Sequence, residues 1–163
     1  MLDQLKELFG SRLKAIEMLA LLKNQKPVVR QGFYPAELDR IKRFCEKNEI
    51  LVEKSQYKVV MEDKEKFSNR GKVVNIDNPQ GMFLVYMSKS QFNALWTCLY
   101  ETKQDHINTG LMLGYPECCV KFFAEEFAKG NVNPVHYPLN PWTNLLLRDE
   151  DIALISHFPC RSD

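Results

Sequence analysis

Two adjacent cysteines, Cys118 and Cys119, are the residues of this sequence best suited to chemistry. They follow the segment 114–117, in which Pro116 favours the first position of a helix because its missing N–H would have no partner there anyway. The start of a helix stabilises negative charge, so a thiol in the first turn ionises more readily than an ordinary cysteine. The sequence therefore predicts Cys118 as a reactive thiol or a metal ligand.

A second group of candidate ligands stands near the end of the sequence, where His157 and Cys160 are three residues apart. Imidazole nitrogen and thiolate sulfur are both ligands for zinc and iron. Folding could bring this pair to Cys118 and Cys119 and complete one Cys/His site. The Cys-x-x-Cys spacing of zinc fingers and redox dithiols does not occur, so the site is a hypothesis built on residue types.

The same thiols fit two hypotheses without a metal. Cys118 could be a catalytic nucleophile or redox group next to a base such as His157. Alternatively, the cysteines pack as small hydrophobic side chains, which is the interpretation for Cys45 and Cys98 in their amphipathic helices. Adjacent side chains on a helix point ~100° apart. Ligation of one ion by both Cys118 and Cys119 is therefore expected to need distortion.

The first half of the chain contains the elements of a small sheet between helices. Residues 1–24 are predicted as a helical arm, with leucines recurring at three and four and Ser11 capping its second part. A second helix is predicted over 35–48. Short β-like runs follow within 50–87, and the turn at 78–81 is predicted to join the last two as a hairpin.

The second half of the chain, 88–163, is predicted to be mainly helical and to carry the cysteine-containing segment. A helix through about residue 102 is expected to bury one face, formed by Phe92, Leu95, Trp96 and Leu99. The segment 27–34 is predicted as a connector. The sequence thus indicates one α+β domain over 1–163, with a small antiparallel sheet flanked by helices.

Composition argues against several classes of protein. The chain has 22 Lys plus Arg and 21 Asp plus Glu, a formal net charge of +1, so it lacks the basic excess of a nucleic-acid-binding protein. It has no apolar run of the ~18 residues needed to span a membrane. Five cysteines without a disulfide-like spacing indicate a reducing compartment, so a cytoplasmic location is expected. The apolar stripe of residues 2–23 could pair with a second copy and form a homodimer.

The segment 113–123, LGYPECCVKFF, resembles the signature of an archaeal family described as domain of unknown function 483. The segment 157–160, HFPC, resembles the second block of that family. The family has no established activity, so the resemblance implies archaeal origin and no mechanism. In the family the second block continues to a further cysteine, which this sequence lacks.

Three hypotheses follow. In the first, a zinc ion, an iron ion or an iron–sulfur centre is bound by Cys118, Cys119, His157 and Cys160, which must then lie close together. In the second, the chain is a thiol-dependent enzyme with Cys118 exposed in a cleft. In the third, it is a non-catalytic dimeric interaction protein with separated, buried thiols and an exposed apolar face on 2–23.

Overall fold

A computed structural model of the chain describes residues 1–61 and 71–127. Within these ranges the α-helices are α1 (Leu2–Phe9), α2 (Arg12–Leu22), α3 (Leu38–Lys47), α4 (Gln91–Thr102), α5 (His106–Met112) and α6 (Glu117–Phe122). A turn of 3-10 helix, Pro35–Glu37, precedes α3, and a π-helical turn, Phe123–Phe127, follows α6.

Four described strands form one antiparallel sheet in the order β1-β4-β2-β3. They are β1 (Val29–Phe33), β2 (Leu51–Met61), β3 (Gly71–Val74) and β4 (Met82–Ser88). The predicted α+β class with a small antiparallel sheet is confirmed.

The prediction for the segment 27–34 was wrong, because this segment contains β1. The strand pairs with β4 from Val29, opposite Met87, to Phe33, opposite Phe83. Its alternation is hidden in the sequence because a polar residue, Gln31, occupies an inward position between two apolar ones and is only 5% exposed. The amide nitrogen of Gln31 donates to the Lys14 carbonyl at 3.0 Å and to the Glu17 carboxylate at 3.4 Å, so the N–H groups of this side chain have partners in the core.

The predicted hairpin across the turn at 78–81 was also wrong. β3 pairs with β2, whereas β4 pairs with β1 and β2. The sequence of β4, MFLVYMS, is apolar at nearly every position, as expected for a strand covered on both faces. This strand therefore takes a central place in the sheet, and the turn at 78–81 leads from one edge into the centre.

Helices cover both faces of the sheet. On one face, α1, α2 and α3 pack on alternate residues of the strands and form the main core. This core includes Phe9 and Ile41 from the helices and Phe33 and Val85 from the strands. On the other face, Tyr86 belongs to a smaller cluster with Val28 and Leu113, beneath α4 and the segment that follows it. The alternation along β4 thus divides the molecule into three layers.

The N-terminal helices, α1 and α2, pack their apolar side chains against the main core. Ser11 caps α2 as predicted, its hydroxyl accepting the Lys14 N–H at 3.2 Å. The apolar side chains of this region face the core: Leu5 is 4% exposed, and Phe9 and Met18 are fully buried. The exposed apolar face expected on residues 2–23 is therefore largely used within the fold, and the homodimer itself stays a prediction.

The orientation predicted for α4 was wrong. Its large apolar side chains point outward: Phe92 is 65% exposed, Leu95 41%, Trp96 36% and Leu99 38%. The face toward the sheet carries the small residues Ala94 and Thr97, both fully buried. Small side chains let the helix approach the strands closely, and polar contacts described below hold it there.

No helix in the described part of the chain combines the length and the apolar character needed to cross a membrane.

Candidate functional site

The two adjacent cysteines lie on a helical hairpin formed by α5 and α6. The Asp105 carboxylate accepts the Asn108 N–H at 3.0 Å and caps the start of α5. At the crossing of the helices, Gly110 lies so close to Val120 that a β-carbon at position 110 would be 2.7 Å from a Val120 methyl. Gly110 therefore allows the close approach that sets α6 against α5.

The turn of the hairpin docks on the connector before β1. Gly114 has φ +73°, and a β-carbon there would lie 3.0 Å from Pro27 Cδ. The Lys26 ammonium lies 4.8 Å from the centre of the Tyr115 ring and forms an ion pair with Glu17. Glycine and tyrosine in the segment 114–117 thus have a structural role in positioning the hairpin.

Helix α6 begins one residue later than predicted. Pro116 has φ −56° and ψ 137°, which makes it the cap rather than the first helical residue. Cys118 and Cys119 still fall in the first turn, as expected. An exposed ion pair of 2.8 Å joins Glu117 and Lys121 one turn apart on α6, and the hydrogen bond from Lys121 lowers the pKa of the Glu117 carboxyl.

The two thiols differ in exposure but lie side by side. Cys118 is exposed, and Cys119 is 8% exposed beside the buried Val120. Their Sγ atoms are 3.9 Å apart. That ligation of one ion by both sulfurs needs distortion stays a prediction. The Cα–Cβ bonds diverge, but rotation about χ1 can carry each sulfur along the helix surface toward its neighbour.

The described residues supply two candidate ligands and no more at this place. Across residues 1–61 and 71–127, no three His, Cys, Asp or Glu side chains come together as a metal-binding group. His106 instead meets the ring of Phe123 edge-on, with 5.5 Å between the ring centres. The other predicted ligands, His157 and Cys160, lie outside the described residues.

Two of the other cysteines pack, as predicted. Cys45 is fully buried on the inner face of α3, and burial raises the pKa of its thiol to about 12. Cys98 is half-buried on the inner side of α4, where burial again raises the pKa of the thiol. Neither thiol has the ionised character that nucleophiles and metal ligands need.

A polar cluster between α4 and the sheet was missed by the sequence analysis. The Glu101 carboxylate accepts the Arg30 guanidinium at 2.5 Å and the Tyr86 hydroxyl at 2.9 Å. Burial raises the pKa of Tyr86. These residues come from α4, β1 and β4, so no spacing in the sequence connects them. The one signal available in the sequence was the position of Glu101, on the face of α4 opposite the large apolar residues.

An open cleft of about 560 Å³ lies between α1 and α3, with Leu5, Phe44 and Arg40 in its lining. It is on the side of the sheet away from the small cluster beneath α4. Cys118 is not part of this cleft, so the exposed thiol and the cleft do not form one site.

No family model, no curated protein and no solved structure matches this chain. The resemblance of the segments 113–123 and 157–160 to the archaeal family therefore stays a prediction.

Proposed function

We propose that the chain is a metal-binding protein that holds a zinc or iron ion, or an iron–sulfur centre, through Cys118 and Cys119. His157 and Cys160 are the proposed further ligands. The observation that carries the proposal is the separation of 3.9 Å between the two sulfur atoms. Zn–S bonds of ~2.3 Å in a tetrahedral site put two sulfurs about 3.8 Å apart. The pair thus has the spacing of two thiolates on one ion.

Access and ligand type support the same proposal. Cys118 is exposed, so an ion can reach the pair from solvent. Glu117 beside it is engaged with Lys121 at 2.8 Å, which leaves sulfur as the ligand type nearest the proposed site. Soft thiolates favour zinc, copper(I) and iron–sulfur clusters over magnesium or calcium.

Two ligands are too few for a structural zinc site, which takes four. His157 and Cys160 would make the set Cys₃His, one of the usual zinc combinations. An iron–sulfur cluster normally takes four cysteines, so zinc fits this set better.

The test is elemental analysis of the intact protein purified without oxygen and without added chelator. We expect about one equivalent of zinc or iron. Cys118→Ser and Cys119→Ser should each abolish the bound metal, and Cys160→Ser should weaken its retention against a competing chelator. Cys98→Ser is the matched control, because this thiol lies on the inner side of α4 and should not affect the metal content.

Two results would contradict the metal hypothesis: wild-type protein without stoichiometric metal after reconstitution with zinc or iron, or unchanged metal content in Cys118→Ser. The alternative of a thiol-dependent enzyme would then take its place. That hypothesis needs Cys118 in a cleft with a base. In the described residues the thiol is exposed and does not line the cleft between α1 and α3, and His106 contacts Phe123 instead.

A second candidate function is self-association through α4. Four large apolar side chains, Phe92, Leu95, Trp96 and Leu99, are exposed at positions i, i+3, i+4 and i+7. The rings of Phe92 and Trp96 contact each other at a tilt of 50°, with centres 5.6 Å apart. Two copies related by a twofold axis would pack Leu95 and Trp96 against the same residues of the partner. We therefore place a homodimer contact on α4 in preference to residues 2–23, whose apolar side chains serve the core.

Light scattering coupled to size exclusion, over a range of concentrations, tests this contact. We expect a concentration-dependent dimer that Leu95→Glu and Leu99→Glu convert to monomer. Val73→Glu is the control, since Val73 is 62% exposed on the edge strand β3. A wild-type monomer at all concentrations, or a dimer that survives both α4 substitutions, would refute the contact.

The expected location for either function is the cytoplasm, where reducing conditions preserve thiols. Nucleic acid is not an expected partner, because the formal net charge is +1. Archaeal origin and membership of the family of domain of unknown function 483 are likewise proposed on the segments 113–123 and 157–160.

A further inference from the structure

Cys118 and Cys119 are poorly placed to form a disulfide with each other. The peptide between them is trans, and adjacent α-carbons across a trans peptide are ~3.8 Å apart. Disulfide-linked cysteines usually have α-carbons ~4.4–6.8 Å apart. Both residues also lie in the first turn of α6, where the Val120 N–H donates to the Pro116 carbonyl at 3.0 Å. A bond between the two sulfurs would therefore distort the start of this helix.

The same two sulfurs are well placed to share a third atom. At 3.9 Å they are too far apart to be bonded, yet close enough for one soft atom to bridge both. A bridging atom relieves the strain that a direct S–S bond would impose, because it lengthens the ring closed by the two side chains. The geometry thus favours chelation over redox cycling.

We infer that Cys118 and Cys119 act as a bidentate ligand for a trivalent thiophilic centre, represented by trivalent arsenic, and that they do not cycle through an internal disulfide. The inference rests on the proposed function in that both use the same two sulfurs. It differs from that function because a trivalent arsenical bearing one organic group is satisfied by two thiolates. No ligand from residues 157–160 is then required.

The reaction with an aryl arsenoxide balances without an oxidant. Each of the two S–H bonds breaks, and each sulfur forms one bond to arsenic. The two protons leave with the oxide oxygen as one molecule of water. Arsenic remains trivalent and no electrons are transferred, so the product differs from a disulfide in both mass and redox state.

The surroundings of the pair suit such a ligand. The exposed Cys118 offers the entry point, and the buried Cys119 carries the second sulfur 3.9 Å away. The nearest carboxylate in sequence, Glu117, is held by Lys121. Soft sulfur ligands select thiophilic centres over hard cations.

The test is titration of the intact, reduced protein with phenylarsine oxide, followed by intact-mass spectrometry and counting of the remaining thiols. We expect one tightly bound phenylarsenic group, the loss of two reactive thiols, and full reversal by excess 2,3-dimercaptopropanol. Cys118→Ser and Cys119→Ser should each weaken binding at least about tenfold, since a single As–S bond loses the chelate advantage. Cys98→Ser and Cys45→Ala should bind as wild type.

Circular dichroism of each variant checks that the hairpin is intact, and Cys119→Ala serves as a second variant for the partly buried position. Two results would overturn the inference. One is an adduct that persists in Cys118→Ser. The other is rapid conversion of the wild-type pair by diamide to a disulfide that peptide mapping assigns to Cys118 and Cys119.

The experiment also separates this inference from the proposed function. Stoichiometric phenylarsenic binding by a protein that takes up neither zinc nor iron would support the inference and refute the proposed function. Stoichiometric zinc or iron in a protein that gives no arsenical adduct, even after the metal is removed, would do the reverse.

Discussion

Gly114 faces Pro27 across the contact between the helical hairpin and the sheet, and a β-carbon on Gly114 would lie 3.0 Å from Pro27 Cδ. The same residue has φ +73°, a conformation that glycine adopts readily and other residues do not. One glycine thus serves both the backbone turn before α6 and the close docking of that turn. The position of the two cysteines relative to the sheet depends on it.

Substitution of Gly114 should lower the free energy of unfolding by more than the strain of its backbone conformation alone. Gly10 offers a matched control, because it has φ +80° but nothing within 4 Å of the place of a β-carbon. We expect Gly10→Ala to lower the free energy of unfolding by about 1 kcal/mol through backbone strain. Gly114→Ala should lower it by about 1 kcal/mol more, through the contact with Pro27. Urea unfolding measures both, and equal losses would contradict the docking argument.

The close crossing of α5 and α6 predicts that a second substitution offsets part of the destabilisation caused by the first. A β-carbon at Gly110 would meet a Val120 methyl at 2.7 Å, so Gly110→Ala should destabilise the protein by about 1–3 kcal/mol through overpacking. In the double variant Gly110→Ala/Val120→Ala the methyl groups that clash are gone. The double variant should therefore lose less stability than the sum of the two single variants, a coupling that a double-mutant cycle measures. Simple additivity would show that the helices can shift apart at no cost.

The Glu101 cluster predicts graded losses of stability. Tyr86→Phe removes one hydrogen bond of 2.9 Å to the carboxylate and should cost about 1 kcal/mol. Glu101→Gln leaves the Arg30 guanidinium without its charged partner, and we expect about 2 kcal/mol, the range for hydrogen bonds to charged groups. The exposed carboxylate of Glu125 supplies the control variant Glu125→Gln. A loss no larger than that of the control would mean that α4 docks without this cluster.

The buried thiol of Cys45 predicts a dependence of stability on pH. Burial raises the pKa of Cys45 from 9.0 to about 12. Between these values the unfolded thiol ionises while the folded thiol keeps its proton, so the unfolded chain binds fewer protons and the free energy of unfolding falls as pH rises. Below about pH 9 this contribution is constant, since the thiol is protonated in both states.

Comparison of wild type with Cys45→Ala isolates this contribution. Burial also raises the pKa values of Tyr57 and Tyr86, and both tyrosines remain in the two proteins as a common background. Above pH 9, the wild-type free energy of unfolding should therefore fall more steeply, by up to about 1.4 kcal/mol per pH unit. Parallel slopes in the two proteins would show that Cys45 does not titrate differently on folding.

The features that sequence alone predicted correctly are those controlled by local chemistry. The cap at Ser11, the place of both adjacent cysteines in the first turn of a helix and the packing of Cys45 all follow from neighbours along the chain. Pairing of distant strands does not depend on such neighbours. The central place of β4 became visible only with its partner strands, β1 and β2, in place. The strand at Val29–Phe33 was missed because Gln31 interrupts its apolar alternation while its amide finds a partner on α2.

The same division between local and long-range effects applies to the candidate site. The place of Cys118 and Cys119 in the first turn of a helix was predicted, and the structure shows the first exposed and the second buried. Their sulfur–sulfur distance was not, because it depends on side-chain torsions that periodicity does not fix. The outward face of α4 was assigned inward since an apolar stripe normally faces the core. In the structure this stripe faces outward, and Glu101 on the opposite face of α4 pairs with Arg30.

The central place of β4 has a consequence for biosynthesis. Val29 pairs with Met87, and Leu51 pairs with Ser88, so neither β1 nor the start of β2 has this partner strand until the ribosome has passed residue 88. During translation the apolar faces of the first three helices (α1–α3) and of β1 and β2 stay uncovered until β4 has been synthesised. The nascent chain should therefore become resistant to protease late and abruptly, when β4 leaves the exit tunnel.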